Sequence, residues 1–350
     1  MKLDDLLNHT SEWLKGTGPN SDVVISSRVR LARNLDKVPF PHWANKKQSE
    51  ETLKAIEEAK AAVEYLKKTT IFRLADLDSV DKQFLIERHL MSQEHAQKTD
   101  HKAIIIDDEE IISIMINEED HLRIQVMQSG FNLFEAWNII DGVDNALAKE
   151  LPFSFLPDWG YLTACPTNTG TGLRGSVMLH LPALVMTRQV NRVLAAIAKL
   201  SFTTRGLYGE GTQATGNLFQ ISNQVSLGHS EGEVIENING LIRQIIEQEN
   251  QARELILSRN KAMLEDRVQR SFGILRSAYI ISSQETTELL SMVRLGCDLG
   301  MVKDIDRRSI NELFIITQPA HLQKTENKKF SSQERDVKRA KLIRDKLKVQ

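Results

Sequence analysis

The sequence predicts an α+β protein: a largely antiparallel sheet flanked by helices, followed by an all-helical C-terminal domain. Three observations carry this. Short strand-like segments cluster before residue 225, with helices interspersed. After about residue 230, apolar residues recur at helical spacing through ENINGLIRQIIEQENQARELIL, and again at 285–295 and 336–348. Pro319 is the only proline after Pro182.

Taken in order, residues 3–14 read as a short amphipathic helix and DVVISSRVRL (22–31) as a strand. Residues 49–68 are rich in Ala, Glu and Lys and read as a helix. KAIIIDD (102–108) and EIISIMIN (110–117) are β-branched runs with acidic turn residues between them, which predicts a hairpin. HLRIQVM (121–127) reads as a further strand and 131–150 as a helix. Segments 174–180, 201–207 and 217–222 read as strands, with a helix at 189–200.

The chain has 350 residues, 41% hydrophobic and 26% charged, which is an ordinary globular composition with room for about two domains. A net charge of -2 gives no global pull toward nucleic acid or a membrane surface. The acidic start MKLDDLLNHTSEWLKG lacks the basic and apolar regions of a signal peptide, and no apolar run approaches the ~20 residues of a membrane span. Cys165 and Cys297 are the only cysteines, which excludes a disulfide framework or a four-cysteine zinc site and suits a reducing cytoplasm.

Four polar segments carry candidate chemistry. In SSRVRLAR (26–33), strand alternation puts Arg28 and Arg30 on one side and Val29 and Leu31 on the other. Two neighbouring arginines call for an anion between them, or for a pair of surface salt bridges. In NEEDHLR (117–123) the same alternation puts Glu119, His121 and Arg123 on one face; a solvated turn is the alternative. CPTNTGTGLRG (165–175) contains Gly170-x-Gly172-x-x-Gly175, but it leads into a strand rather than a helix, so it reads as a loop delivering Arg174 and not as a dinucleotide fingerprint. RGLYGEGTQATG (205–216) holds four glycines, at 206, 209, 211 and 216, and reads as a phosphate-covering lid or a plain surface loop.

Together these segments resemble the guanidino-kinase (ATP:guanido phosphotransferase, or phosphagen kinase) catalytic domain over about residues 20–250. The resemblance implies ATP and Mg2+ as cofactors. It implies that Arg28, Arg30, Arg123, Arg174 and Arg205 grip the ATP phosphates, within nucleotide-binding segments 27–31 (Ser27, Arg28, Val29, Arg30, Leu31), 174–178 (Arg174, Gly175, Ser176, Val177, Met178) and 205–210 (Arg205, Gly206, Leu207, Tyr208, Gly209, Glu210). His89, in LIERHLM, resembles a further nucleotide-contacting position. Glu119 and Glu210 resemble the pair that holds the substrate guanidinium, Cys165 the reactive cysteine beside it, and Glu118 a residue that orders water around Mg2+. The roles suit the residues. Phosphoryl transfer is mostly alignment and charge neutralisation, and arginine forks bind phosphate oxygens. Two carboxylates can fix a guanidinium in line and take its proton. Neither a P-loop nor the H-R-D and D-F-G signatures occur.

Two features resemble the bacterial protein-arginine kinases rather than the small-molecule branch. Only about twenty residues precede SSRVR, so the loop that closes over a free amino acid is expected to be missing. A helical extension follows residue 250 and contains RDVKRA (335–340), which resembles that subfamily's phosphoarginine-binding motif. On a helix Arg335 and Arg339 are i,i+4 neighbours, expected to fork one phosphoryl group as an allosteric site with Asp336 beside the guanidinium; the alternative is a solvated basic helix, since residues 321–350 hold ten Lys/Arg against four Asp/Glu. The expected organisation is a lead-in at 1–22, a catalytic domain at 23–255, and a helical domain at 256–350 for dimerisation and phosphoarginine binding. The resemblance further implies protein substrates with exposed arginines, such as repressors and misfolded proteins, marked for Clp-type degradation in a stress response. It implies a homodimer or larger assembly and leaves an activator protein open. Free-arginine kinase and a silent phosphoarginine-binding adaptor are the other readings.

Overall fold

The computed structural model describes residues 2–206 and 215–348. Its strands are β1 Val24–Arg33, β2 Thr69–Arg73, β3 Ala103–Asp107, β4 Ile112–Ile116, β5 Leu122–Ser129, the short pair β6 Phe155–Leu156 and β7 Gly160–Tyr161, β8 Leu173–His180, β9 Phe202–Arg205 and β10 Leu218–Asn223. Eight of them form one sheet in the order β2-β3-β4-β5-β1-β8-β10-β9, and every neighbouring pair is antiparallel. The predicted hairpin is β3–β4, and the α+β class with an antiparallel sheet is the observed one.

The helices of the first two-thirds are α1 Lys46–Ala62, α2 Ser79–Glu87, α3 Leu133–Glu150, α4 Pro182–Met186 and α5 Val190–Lys199. The lead-in is not one helix but two 3-10 turns, Leu3–Asn8 and Glu12–Leu14, with Leu6, Trp13 and Leu14 buried. β1 and β5 pack on α3, whose Ala136, Ile140, Val143 and Leu147 recur at helical spacing and are fully buried. The opposite sheet face is polar at its centre, where a cleft opens, and toward β3 and β4 it carries a second apolar cluster with Phe84 and Leu85 of α2.

The last third is helical: α6 Glu231–Ser277, α7 Ser283–Asp298, α8 Arg307–Ile316, α9 Pro319–Thr325 and α10 Ser332–Lys346. α6 runs 47 residues and leaves helical geometry at Asn260 (φ -138°, ψ 34°). Its first part packs on β8 and its later part on α7 and α10. Buried polar ties join the regions. Arg294 is fully buried and donates to the main-chain oxygens of Ser21 and Asp22, to Asn311 Oδ1 and toward His180 Nδ1. Arg253 bonds Asp22 and Glu249. Glu87, at the end of α2, accepts from the backbone N–H groups of Ala320 and His321. Among the described residues no helix is long and apolar enough to cross a membrane.

Candidate active site

Sheet register gathers the arginines. Arg30 of β1 stands opposite Arg174 of β8 and Gln125 of β5, and Ala32 stands opposite Arg123. Arg205 of β9 pairs with Gln220 of β10, which pairs with Met178 of β8. Directly paired residues share a face, so all five guanidinium-bearing positions lie on the side away from α3. They line one cleft of about 790 Å³.

Like charges this close need help, and each arginine receives a different amount. Arg123 Nη1 donates to both oxygens of Glu118 at 2.8 Å. Arg28 donates to Ser176 Oγ at 3.3 Å and Gln220 Oε1 at 2.7 Å. Arg174 donates to the hydroxyls of Thr203 and Ser222, both at 3.1 Å. Arg30 is 8% exposed, and its Nε and Nη2 are buried without a hydrogen-bond partner among the described residues. Burial, then the charges of Arg123, Arg174 and Arg205, push Arg28 down to about 9. Burial and the same neighbours, with Arg28 added, hold Arg30 well below the usual guanidinium range. Such a face is stabilised by a multivalent anion. The unpartnered Arg30 atoms are donors that the oxygens of such an anion could satisfy.

At the other end of the cleft the chain turns between β4 and β5. Asn117 adopts φ 59°, and its N–H donates to His121 O at 3.0 Å. This corrects the alternation expected over 117–123, because residues 118–121 are turn and not strand. His121 leaves the shared face: its Nδ1 accepts from the Leu35 N–H and its Nε2 lies 2.9 Å from Pro39 O. Glu118 is instead the partner of Arg123. Burial raises its pKa, but Arg123 and a hydrogen bond from Ser92 outweigh that and hold it at about 2. Glu119 lines the cleft with Cys165. Burial, then Asp120 and Glu118, raise Glu119 above the ordinary carboxylate range, with Arg123 and a hydrogen bond from Cys165 opposing. A carboxylate so raised is a better proton acceptor.

The other expected nucleotide contacts divide by strand parity. Ser176 and Met178 stand on the arginine face. Val29, Leu31 and Val177 have their side chains in the apolar core on the other side, and Leu31 also borders the cleft. Gly175 faces α6, where an added Cβ would lie 2.4 Å from Ile238 Cδ1, so its glycine serves packing. Ser27 is fully buried and donates to Gly130 O. His89 lines the cleft with φ 60°, and burial followed by Arg28 pushes it down to about 3, so it is neutral. Gly206 is described and buried, whereas Leu207, Tyr208, Gly209 and Glu210 lie outside the described residues.

The exposed fork expected in the helical domain is not formed. Arg339 is 1% exposed, and it donates to Thr317 O at 2.8 Å, to Ile281 O at 2.9 Å and to Asp336. Arg335 donates to Phe330 O at 3.0 Å. These arginines tie α10 to neighbouring segments rather than facing one open anion site.

The residues not foreseen are the ones that hold the turn. Asp120 is buried and accepts from Ala164 N–H and Asn34 Nδ2, both at 2.7 Å, which fixes the segment carrying Cys165. Three consecutive acids after an apolar run were the available signal, because any of them that is buried needs partners.

A β-sheet face of converging arginines, with carboxylates and a thiol at one end, defines a phosphotransferase acting on a cationic acceptor. A family model for the ATP:guanido phosphotransferase C-terminal catalytic domain matches residues 50–252, and one for the protein-arginine kinase McsB C-terminal domain matches residues 261–350. The chain belongs to the ATP:guanido phosphotransferase family. It is 50% identical to a protein-arginine kinase of Halothermothrix orenii, over 99% of both chains. It is 49% identical to a protein-arginine kinase of Symbiobacterium thermophilum, over 96% of each. Among solved structures it resembles lombricine kinase, with 28% identity, 69% of each chain covered and TM-score 0.61. It also resembles the duplicated taurocyamine kinase of Schistosoma mansoni with bound transition state analog components, with 26% identity, 67% of this chain and 34% of that chain covered and TM-score 0.60.

Proposed function

We propose that this enzyme transfers the γ-phosphoryl group of ATP to arginine side chains of proteins. The observation that carries the reading is the arginine face itself, with two buried donor atoms of Arg30 left for an anion. In this reading Arg28, Arg30, Arg123, Arg174 and Arg205 hold the phosphates, and His89, Ser176 and Met178 border the nucleotide. Glu119 and Glu210 align the acceptor guanidinium, and Glu119 takes its proton. Cys165 adds negative charge beside it. Mg2+ supplies charge neutralisation on the phosphates. Among the described residues no group of three or more His, Cys, Asp or Glu is placed to hold a metal ion by itself; a Mg2+ arriving with the nucleotide would be held chiefly by the phosphates, and Glu118, which lines the cleft and is paired with Arg123, would be the carboxylate to order water beside it.

The finer reading rests on the resemblance of the sequence motifs alone. The enzyme works in the cytoplasm as a dimer or larger assembly, and its products are handed to a Clp-type protease under stress. Arg335, Asp336 and Arg339 bind phosphoarginine only after Arg339 releases a main-chain carbonyl. The test of the activity is incubation with radiolabelled Mg-ATP and either unfolded casein or free arginine. Acid-labile, base-stable label on casein supports the proposal. Label on the amino acid alone supports a phosphagen kinase, and no label supports a silent adaptor.

A further inference from the structure

Between β7 and β8 the chain runs through LTACPTNTGTG (162–172), which is short of large apolar side chains, so hydrogen bonds must hold its shape. Three sets of them do. The entry of this loop leans on the residue after β1: Asn34 Nδ2 donates to Leu162 O at 3.0 Å and to Asp120 Oδ1 at 2.7 Å, and Asp120 accepts from the Ala164 N–H. The exit leans on the last residue of β1, where Arg33 Nη1 donates to Thr171 O at 2.9 Å while its other nitrogens bond Asp144 of α3. The middle leans on the segment after β10. Ser226 is 2% exposed, and its hydroxyl lies 3.0 Å from both Thr167 O and Thr169 O, so one proton is shared between two carbonyls.

Ser226 is itself placed by β10. Asn223, the last residue of that strand, accepts from the Gly175 N–H at 2.9 Å and donates to Leu173 O at 3.1 Å and to Val225 O at 3.2 Å. Both of its amide hydrogens are engaged, so Asn223 braces the chain next to Ser226 although it also lines the cleft. The same strand supplies Gln220 to Arg28 and Ser222 to Arg174. The approach of the loop to this segment is close. Gly170 has φ +111°, and a Cβ there would lie 2.7 Å from Ser226 O and 2.8 Å from Leu227 Cα. Gly170, which the sequence offers as part of a nucleotide-like fingerprint, is glycine because the loop meets Ser226 backbone on backbone.

We propose that Ser226 is a positioning residue for phosphoryl transfer: it ties the Cys165 loop to the strand that holds the phosphate-binding arginines, and so sets the separation between the acceptor end of the cleft and the phosphates. The inference rests on the kinase reading and deepens it. Ser226 does not line the cleft; Cys165 and Thr167 do, and it acts through them. Thr167 Oγ1 lies 3.0 Å from Cys165 Sγ. Thr169 Oγ1 lies 3.1 Å from Thr163 Oγ1, which donates to Cys165 O at 2.7 Å. A shift at 167–169 therefore reaches the thiol from both sides. In-line transfer tolerates little misplacement, since an error of about 1 Å can cost ~100-fold in rate. Asn34, Asp120 and Arg33 still hold the entry and exit of the loop when Ser226 is changed, so what is lost is alignment and not the fold.

The experiment compares the full chain with Ser226→Ala and Ser226→Thr. Turnover of unfolded casein with Mg-ATP gives kcat and KM, equilibrium binding gives the Kd for Mg-ATP, and iodoacetamide reads the exposure of the Cys165 thiol. Cys297 competes little in the last assay, because burial, followed by Asp298, pushes its thiol up to about 12. Ser226→Ala should bind Mg-ATP with the wild-type Kd and lose about 10- to 100-fold in kcat. Its Cys165 should alkylate about 2- to 10-fold faster, the equivalent of one lost hydrogen bond. Ser226→Thr returns the hydroxyl and should recover most of both properties, which a space-filling role would not do. Wild-type kcat in Ser226→Ala overturns the proposal. So does a fall in kcat with unchanged alkylation, or one that Ser226→Thr does not reverse. No label on casein from the wild-type protein refutes the kinase reading instead, and alkylation, which needs no turnover, then still decides whether Ser226 places Cys165.

Discussion

Replacing Arg30 by methionine should stabilise the protein while it destroys nucleotide binding. Arg30 is buried opposite Arg174, and its Nε and Nη2 have no hydrogen-bond partner among the described residues. Each buried polar group left unsatisfied costs about 1–3 kcal/mol. Methionine has a similar reach, adds no charge and fills irregular space. Allowing for imperfect packing, the unliganded protein should gain about 1–3 kcal/mol, a rise in Tm of roughly 1–4 °C for a chain of this size. The same substitution removes two charge-assisted bonds to phosphate at about 1.5–3 kcal/mol each, so the Kd for ATP should rise at least ~100-fold. Thermal melting with and without Mg-ATP reads both effects. The variant should melt higher than wild type alone and gain almost nothing from nucleotide. A variant that melts lower unliganded, yet is stabilised by Mg-ATP as strongly as wild type, would show that Arg30 is a structural ion-pair partner and refute the anion-site argument.

Other perturbations separate alignment from binding. Asp120→Ala leaves the Ala164 and Asn34 donors unpaired, so kcat should fall at least ~10-fold with the KM for ATP unchanged, read by steady-state kinetics. Glu119 must be ionised to accept a proton, and its pKa is raised. Activity should therefore be full above that raised pKa and be lost as pH falls through it, at a midpoint above the usual 4.5; Glu119→Gln should be inactive at every pH, and retained turnover would remove it from proton transfer. Arg339→Ala should cost about 3 kcal/mol or more in urea unfolding, because buried carbonyls lose their donor, while Arg335→Ala should stay within about 1 kcal/mol. Equal stabilities would restore the open-fork reading of RDVKRA.

Strand alternation was enough to place Arg28 and Arg30 on one face, because the period of two is local. That Arg123, Arg174 and Arg205 join them depends on which strands pair and in what register, which no single segment shows; the resemblance supplied it. Alternation failed at His121 because it was carried back beyond the start of β5 into the turn that begins at Asn117, whose φ is positive; Glu119 still reaches the cleft, but from that turn and not from a strand. The i,i+4 relation of Arg335 and Arg339 was right as geometry and silent about solvent. Arg339, Ala340, Ile343 and Leu347 are spaced as one buried helical stripe, so the sequence did hold a sign that Arg339 faces inward. The short elements β2, α2 and β6–β7 were missed because each is too brief to establish a period, and β6–β7 exposes its apolar residues rather than burying them.

Co-crystallisation with Mg-ADP and a planar anion standing in for the transferred phosphoryl group bears most directly on the arginine face. Phosphate oxygens should lie within hydrogen-bonding distance of Arg30 Nε and Nη2, with Arg28, Arg123, Arg174 and Arg205 around them and the anion pointing toward Glu119 and Cys165. A nucleotide bound elsewhere, with the donors of Arg30 still unpartnered, would contradict the assignment of this cleft to phosphoryl transfer.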